Sequence, residues 1–219
     1  MLNNNGHKSK LEIKKYDISK PLTEQQQDEV YQLYKLRYSV YIKDLKYEQP
    51  HADHKLKILK DPLDNTGHLY GVFKNNEAIG TLLTNYTKHS DLGYYPELYK
   101  MHEFANSSYF DSSISTKFIV RKDFRSSNIA FKLACATLTQ QSEDNIMYSF
   151  IDCIPENVPF FVRLGFKVSQ KNMSHPEFGH GVALVIELQN IEELEKQNSL
   201  YLKHYRRTVD MWNRARIAA

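Results

Sequence analysis

Apolar and polar residues alternate from Leu11 to Ile18 (Leu-Glu-Ile-Lys-Lys-Tyr-Asp-Ile), which predicts a strand. From about residue 24 to 44 the period lengthens to that of a helix, with Val30, Tyr34, Arg37 and Tyr41 on one face. Thr23 and Gln26 form a capping-box pair ahead of it, and Pro21 lies just upstream. An arginine on an otherwise apolar face is conspicuous. Residues 45–67, rich in His, Asp and Pro, read as a long loop, and long loops inside compact domains are commonly functional. His68–Phe73 and Ala78–Tyr86 read as two strands joined by the turn Lys74-Asn75-Asn76-Glu77. Residues 87–113 show no clear period. Ser115–Val120 predicts a strand, Asn128–Asp144 a helix with Ile129, Leu133, Ala136 and Thr137 on one side, and Tyr148–Ile154 an apolar strand. Pro159–Leu164 reads as a short helix closed by Gly165, Val182–Leu188 as the last strand, and Ile191–Ile217 as one long charged helix. Without internal repeats or a low-complexity linker, the pattern predicts one mixed α/β domain over 11–190, a loose N-terminus at 1–10 and an amphipathic helix at 191–219.

Composition narrows the class. A chain of 219 residues, 41% hydrophobic and 25% charged, is long enough to bury a substantial core. Its 15 Tyr and 11 Phe favour an aromatic-rich core or an apolar pocket. A net charge of +3 does not argue for nucleic acid. Cys135 and Cys153 are too few for a disulfide framework. No apolar run is long enough for an integral membrane span, and the first residues lack a signal-peptide core, so the sequence reads as cytoplasmic.

Candidate chemistry concentrates between 117 and 132. Lys117, Arg121, Lys122, Arg125 and Lys132 surround a strand-to-helix turn, with Asp123 the only acid. A solvated helix start explains such charges when they stand alone. At a turn entering a helix, free amides and the helix dipole add attraction for anions.

The order strand, basic turn, helix, strand and Phe160-Phe161-Val-Arg-Leu-Gly-Phe166 resembles the GNAT acyltransferase superfamily. Arg125-Ser126-Ser127-Asn128-Ile129-Ala130 is similar to that family's pyrophosphate turn, with Asn128 in place of its first glycine. Arg37-Tyr-Ser-Val-Tyr41 with Tyr47, the Asp61-Pro-Leu-Asp64 segment, Ser115-Thr-Lys117-Phe118 and His175-Pro-Glu-Phe-Gly179 resemble, in that order, motifs of acyl-homoserine lactone synthases and long-chain N-acyl amino acid synthases. Three positions depart from those patterns: Leu83 and Ile114 replace an Arg and a Glu, and Phe161 replaces a Tyr that serves many GNAT enzymes as acid.

The resemblance implies a central, mixed, mostly antiparallel sheet flanked by helices, with central strands splayed to hold a thioester. It implies acyl transfer from acyl carrier protein, or from coenzyme A, to a small amine such as an amino acid. No cofactor is permanently bound; phosphopantetheine or coenzyme A arrives with the donor. Phe118, Ile119, Val120, Arg121 and residues 125–130 would bind that donor, and Tyr41, Tyr47, Lys117, Cys153 and Phe161 would line the substrate site. Arg37, Asp61, Asp64 and Glu103 are the catalytic candidates.

Blander readings stand beside these. Asp61 and Asp64 suit a capped turn, His102-Glu103 a surface pair, Arg37 a structural ion pair, and Cys153 an inert buried thiol. His51 and His54 have metal-ligand spacing but no third ligand, so no metal is expected. Tyr201-Leu-Lys-His-Tyr-Arg-Arg207 with Trp212, Arg214 and Arg216 reads as a packed amphipathic helix, or as a surface for an anionic membrane or acidic carrier. A missing glycine turn keeps a backbone from approaching a pyrophosphate closely, which favours a carrier-borne donor. A short-chain acetyltransferase and an inactive carrier-binding protein remain the alternatives.

Overall fold

The computed structural model describes residues 10–125 and 127–218, with side chains to residue 211. The expectations for 1–9, for Ser126, and for the side chains of Trp212, Arg214 and Arg216 lie outside the described residues.

Nine strands form. They are β1 (Leu11–Asp17), β2 (Ala52–Asp53), β3 (Ile58–Leu59), β4 (His68–Lys74), β5 (Glu77–Tyr86), β6 (Ser112–Val120), β7 (Tyr148–Cys153), β8 (Lys167–His175) and β9 (Gly179–Glu187). Seven of them build one sheet in the order β1-β4-β5-β6-β7-β9-β8, and β2 and β3 make a separate small hairpin. Only β6 and β7 run parallel; the other pairs of the large sheet are antiparallel. A parallel pair needs a crossover. Helix α4 (Ile129–Glu143) supplies it.

Both faces of the sheet are covered. Helix α1 (Glu24–Tyr38) lies on one face, where Leu33 packs with Leu69, Phe73, Leu83 and Ile114, joined by α2 (Tyr95–Leu98) and α3 (Met101–Ala105) through Tyr95, Tyr99 and Met101. The capping box at Thr23 and Gln26 opens α1. On the opposite face lie α4, α5 (Val158–Leu164) and α7 (Leu200–Ala218), where Leu138, Leu164 and Tyr201 pack with Ile151 and Leu184. Leu83 and Ile114 are fully buried core residues, which accounts for their apolar character. Gly165 caps α5 at φ 116°, a conformation glycine adopts without strain.

The structure differs from the sequence pattern in five places. The first helix is not α-helical to residue 44: Ser39–Asp44 is a π-helical turn, with Leu45 N–H donating to Val40 O. The loop at 45–67 contains β2, β3 and a 3-10 turn at Pro62–Asn65. The central strand begins at Ser112 rather than Ser115. Strand β8 was hidden by its polar edge composition. The long C-terminal helix is broken into α6 (Ile191–Lys196) and α7, because Asn198 turns left-handed at φ 56°. The Ser199 side chain then caps α7, accepting from Leu202 N–H.

Candidate active site

The β6–β7 pairing ends at Ser115↔Ile151, whereas β6 continues to Val120 and β7 to Cys153. Beyond that point the strands part. Their facing backbone groups are released from the ladder, and a cleft of about 460 Å³ opens through the gap.

A bulge shapes β6 at the same place. Leu83 pairs with Thr116 and Thr81 with Ile119, so β6 carries one extra residue across this stretch. Lys117 absorbs it at φ 53°. Ser113 and Ser115 point toward α4, where both meet Gln141. Simple alternation would send Lys117 the same way. The bulge instead turns Lys117 to the α1 face and Phe118 to the α4 face, where Phe118 touches Phe160 and Phe161. A left-handed, non-glycine residue in a strand costs about 1 kcal/mol or more, and such strain clusters at functional sites.

On the α1 face, Lys117 Nζ is held 2.7 Å from Glu177 Oε1 and 3.1 Å from Asp61 Oδ2. Gln49 Nε2 donates to Glu177 Oε2 at 3.1 Å, and the ammonium lies 5.8 Å from the centre of the Tyr41 ring. Burial pushes the Asp61 carboxyl up, but Lys117 and the Leu63 amide outweigh it and hold it below its usual range. Tyr41, Tyr47 and Phe178 follow one another at 6.0 Å between ring centres. The π turn re-aims Tyr41 into this row, a common use of such turns.

Arg37 is fully buried behind this wall. Its Nη1 donates to Asp64 Oδ1 and Oδ2 at 3.0 and 2.7 Å, and Asp64 Oδ2 also accepts from Asp61 N–H. Asp61 and Asp64 cap the 3-10 turn reciprocally, with Pro62 at its first position. The capped turn and the charge network are therefore one construction. Arg37 and Asp64 have no solvent-accessible side-chain surface, and neither they nor Asp61 line the cleft; they connect to it through the Asp61 amide and the Asp61–Lys117 pair.

On the α4 face, Arg125 and Ala130 line the cleft with Phe118 and Val120, while Ile119 lines it from the α1 face. Arg125 Nε donates to Val120 O, leaving its terminal nitrogens toward solvent. Arg121 does not take part: Glu77 and Asp123 pair with its guanidinium, away from the opening. Ser127, Asn128 and Ile129 also lie outside the lining. Ser127 Oγ donates to Phe124 O, Asn128 has φ −81° and needs no unusual backbone, and Ile129 is buried against the sheet. Cys153 and Phe161 line the gap, and burial pushes the Cys153 thiol up to about 12, so it is not a thiolate nucleophile.

Glu103 is misplaced by the sequence reading. It is exposed on α3, 3.4 Å from Lys100, while His102 stacks on Tyr109. Neither reaches the cleft. His54 pairs with the Tyr38 hydroxyl through Nδ1 at 3.0 Å. Among the lining residues absent from the sequence candidates, Asp152 in β7 is the acid. Its signal was an acid inside the apolar run Tyr148-Ser-Phe-Ile-Asp-Cys153. A second, apolar hollow of about 230 Å³ between α4, α5 and α7, lined by Phe131, Phe160 and Leu200, carries Arg163 as its only charged lining residue.

No protein-family model matches this chain, and no curated protein matches it. Solved structures do. BjaI, a CoA-dependent acyl-homoserine lactone synthase determined with SAM and isopentyl-CoA, superposes at TM-score 0.66 and 11% identity over 87% of this chain and 91% of its own. FeeM, an N-acyl amino acid synthase from uncultured soil microbes, gives 0.64 and 14% over 90% and 98%. ElaA of Escherichia coli gives 0.59 and 17% over 81% and 100%. The chain has the GNAT-like fold of acyl-homoserine lactone synthases, an N-acyl amino acid synthase and acetyltransferases.

Proposed function

We propose that this protein is an N-acyltransferase that joins the acyl group of a thioester to a small amine. The parting of β6 and β7 immediately beyond Ser115↔Ile151 carries this reading. It makes one cleft with two chemically different halves. Arg125 and the amide end of α4 suit a phosphate-bearing donor arm, while Lys117, its two carboxylates and the tyrosine row suit a polar acceptor.

Transfer by this route needs position more than a nucleophile. Strand amides freed from the β6–β7 ladder polarise the thioester carbonyl, and a neutral amine held beside it attacks directly. Phe161 in place of a tyrosine leaves the leaving thiolate to take its proton from the attacking nitrogen or from water.

The donor half favours a carrier-borne acyl group over coenzyme A. Arg121 is already neutralised, and the turn before α4 carries no glycine, so a single phosphodiester fits better than a pyrophosphate with a further phosphate. Aromatic Phe118, Phe160 and Phe161 would contact the acyl chain.

The test is release of free thiol from matched acyl-carrier and acyl-CoA thioesters, over a series of acyl lengths, with amines and amino acids as acceptors and products identified by mass spectrometry. Faster transfer from carrier thioesters supports the donor assignment, and equal rates from coenzyme A overturn it. Transfer confined to acetyl groups would favour a short-chain acetyltransferase. Donor binding with no thiol release from any pair would identify a binding protein instead.

A further inference from the structure

Asp152 is the buried acid of the cleft that lacks a counter-charge of its own. It sits one residue past the last β6–β7 pair, at the mouth of the gap. Strand alternation places it with Tyr148 and Phe150 on the α1 face, opposite Ile151 and Cys153. Its side chain is 10% exposed, lines the cleft, and leaves Oδ2 without a hydrogen bond among the described residues. The neighbouring acids are matched: Asp64 by Arg37, and Asp61 and Glu177 by Lys117.

His175 does not supply the missing cation. Its Nε2 lies 3.1 Å from Asp152 Oδ2, off the line of a good hydrogen bond. Its Nδ1 accepts from Glu177 N–H, so Nε2 carries the ring's proton. Burial pushes the imidazole down to about 4, which keeps it neutral at pH 7. The Tyr99 hydroxyl also faces Asp152 without closing a well-formed hydrogen bond. A buried carboxylate oxygen without a well-aligned donor is costly, and such groups call for a ligand or water.

The geometry points to Asp152 as the group that receives the acceptor's ammonium and takes its proton in the acyl transfer proposed above. The inference rests on that reading. A nitrogen within hydrogen-bond reach of Oδ2 stands at the point where β6 and β7 part, beside the place a thioester carbonyl must occupy to meet the freed amides.

The surroundings suit a base. Lys117 faces Asp152 from β6, Tyr41 from the π turn, Tyr94, Tyr95 and Tyr99 from α2 and its flanks, and His175 and Glu177 from the β8–β9 end. Burial pushes the carboxyl up to about 7; Glu177 pushes the same way, against Tyr99 and Lys117. A base poised near the working pH combines an ionised fraction with real basicity.

The step balances. The ammonium nitrogen loses one proton to Asp152 and forms a C–N bond to the carbonyl carbon. The tetrahedral adduct then collapses with cleavage of the C–S bond. The second proton leaves the nitrogen for the departing thiolate, and the third remains on the amide. Asp152 returns its proton to water.

Asp152→Asn keeps the shape and removes the base. With donor saturating, kcat at pH 7 should fall by roughly 10²–10⁴, the usual range for losing a general base. The donor KM should stay within about threefold of the unmodified protein. The unmodified protein should show a break in its pH–rate profile near 7 that the variant lacks, and Asp152→Glu should recover part of the rate. An Asn variant with rate and pH break unchanged overturns the inference while the transfer reading stands.

A measurement without turnover accompanies it. Carboxyl-carbon NMR of aspartate-labelled protein should show one resonance titrating near 7 that disappears in Asp152→Asn. Titration of that carboxyl only in the ordinary range overturns the base. A protein that releases no thiol while the resonance still titrates near 7 overturns the transfer reading, and the base role falls with it.

Discussion

Arg37 and Asp64 show how one buried pair can organise a site it does not touch. Both side chains are fully buried, and Arg37 Nε and Nη2 find no partner among the described residues. Desolvating two ions costs several kcal/mol each, so this arrangement is held for geometry more than for stability. Its output is the position of Asp61, whose N–H donates to Asp64 Oδ2 at 2.7 Å. Arg37→Met strands the Asp64 charge and should cost about 3–5 kcal/mol in urea unfolding. Adding Asp64→Asn removes the stranded charge and should return more than half of that loss. If Arg37→Met alone costs under about 1 kcal/mol, the pair is not what fixes the Asp61 turn. Turnover of the stable double variant should remain measurable, because neither residue lines the cleft.

At the scale of elements, the bulge in β6 and the π turn after α1 put Lys117 and Tyr41 on the same side of the sheet. The pH dependence of stability can test the bulge's charge placement. Asp61 is depressed when folded, so its contribution is present above about pH 4, the ordinary aspartate value, and is lost as pH falls through the folded value. Lys117→Met removes the ammonium that opposes burial. The folded Asp61 carboxyl then rises above its unfolded value, and the variant loses stability as pH climbs from 4 to 7. The gap between unmodified and variant proteins should therefore widen with pH, to about 3–5 kcal/mol at pH 7. A constant gap would mean that Lys117 contributes only packing. These two devices mark the limit of what the sequence discloses. Strand β1 was legible through its alternation, β4, β5 and β7 as short apolar, β-prone runs, and helix α4 through its 3.6-residue period. The π turn was not, since its apolar residues continue the helical spacing without a breaker. A bulge built on lysine rather than glycine has no local signature, so the face of Lys117 could not be read. Tyr41, Tyr47, Lys117 and Phe161 were singled out through family-like spacing and Cys153 through its place at the end of a strand, and all five line the cleft. Asp152 was visible as an acid in an apolar strand, but its lack of a partner is a property of the assembled sheet.

Over the whole molecule, the opposite shifts of two residues distant in sequence imply that folding moves a proton from one to the other. In the unfolded chain Asp152 ionises near 3.8 and His175 near 6.5, whereas folding raises the first to about 7 and lowers the second to about 4. Burial is the leading cause of both shifts, since each group is least costly in its neutral form. The signs oppose. Asp152, raised, contributes stability below pH 3.8 that is lost as pH rises toward 7; His175, lowered, contributes stability above 6.5 that is lost as pH falls toward 4. Between these limits the unfolded chain carries the proton on His175 and the folded chain carries it on Asp152. The total is the same, and the pair adds almost no slope. Removing either partner should expose the other. Relative to the unmodified protein, Asp152→Asn should gain stability as pH rises from 4 to 7, by up to about 4 kcal/mol for a shift of some three units. His175→Gln should show the reverse, gaining as pH falls across the same window. Urea midpoints taken at half-unit steps from pH 4 to 7.5 would read both trends. Curves that run parallel to the unmodified protein would mean that neither group is held neutral by the fold. The expected pattern also carries a functional cost: if Asp152 is the base, the variant that is more stable at neutral pH is the one that has lost its rate, as expected where a strained, desolvated group is kept for chemistry.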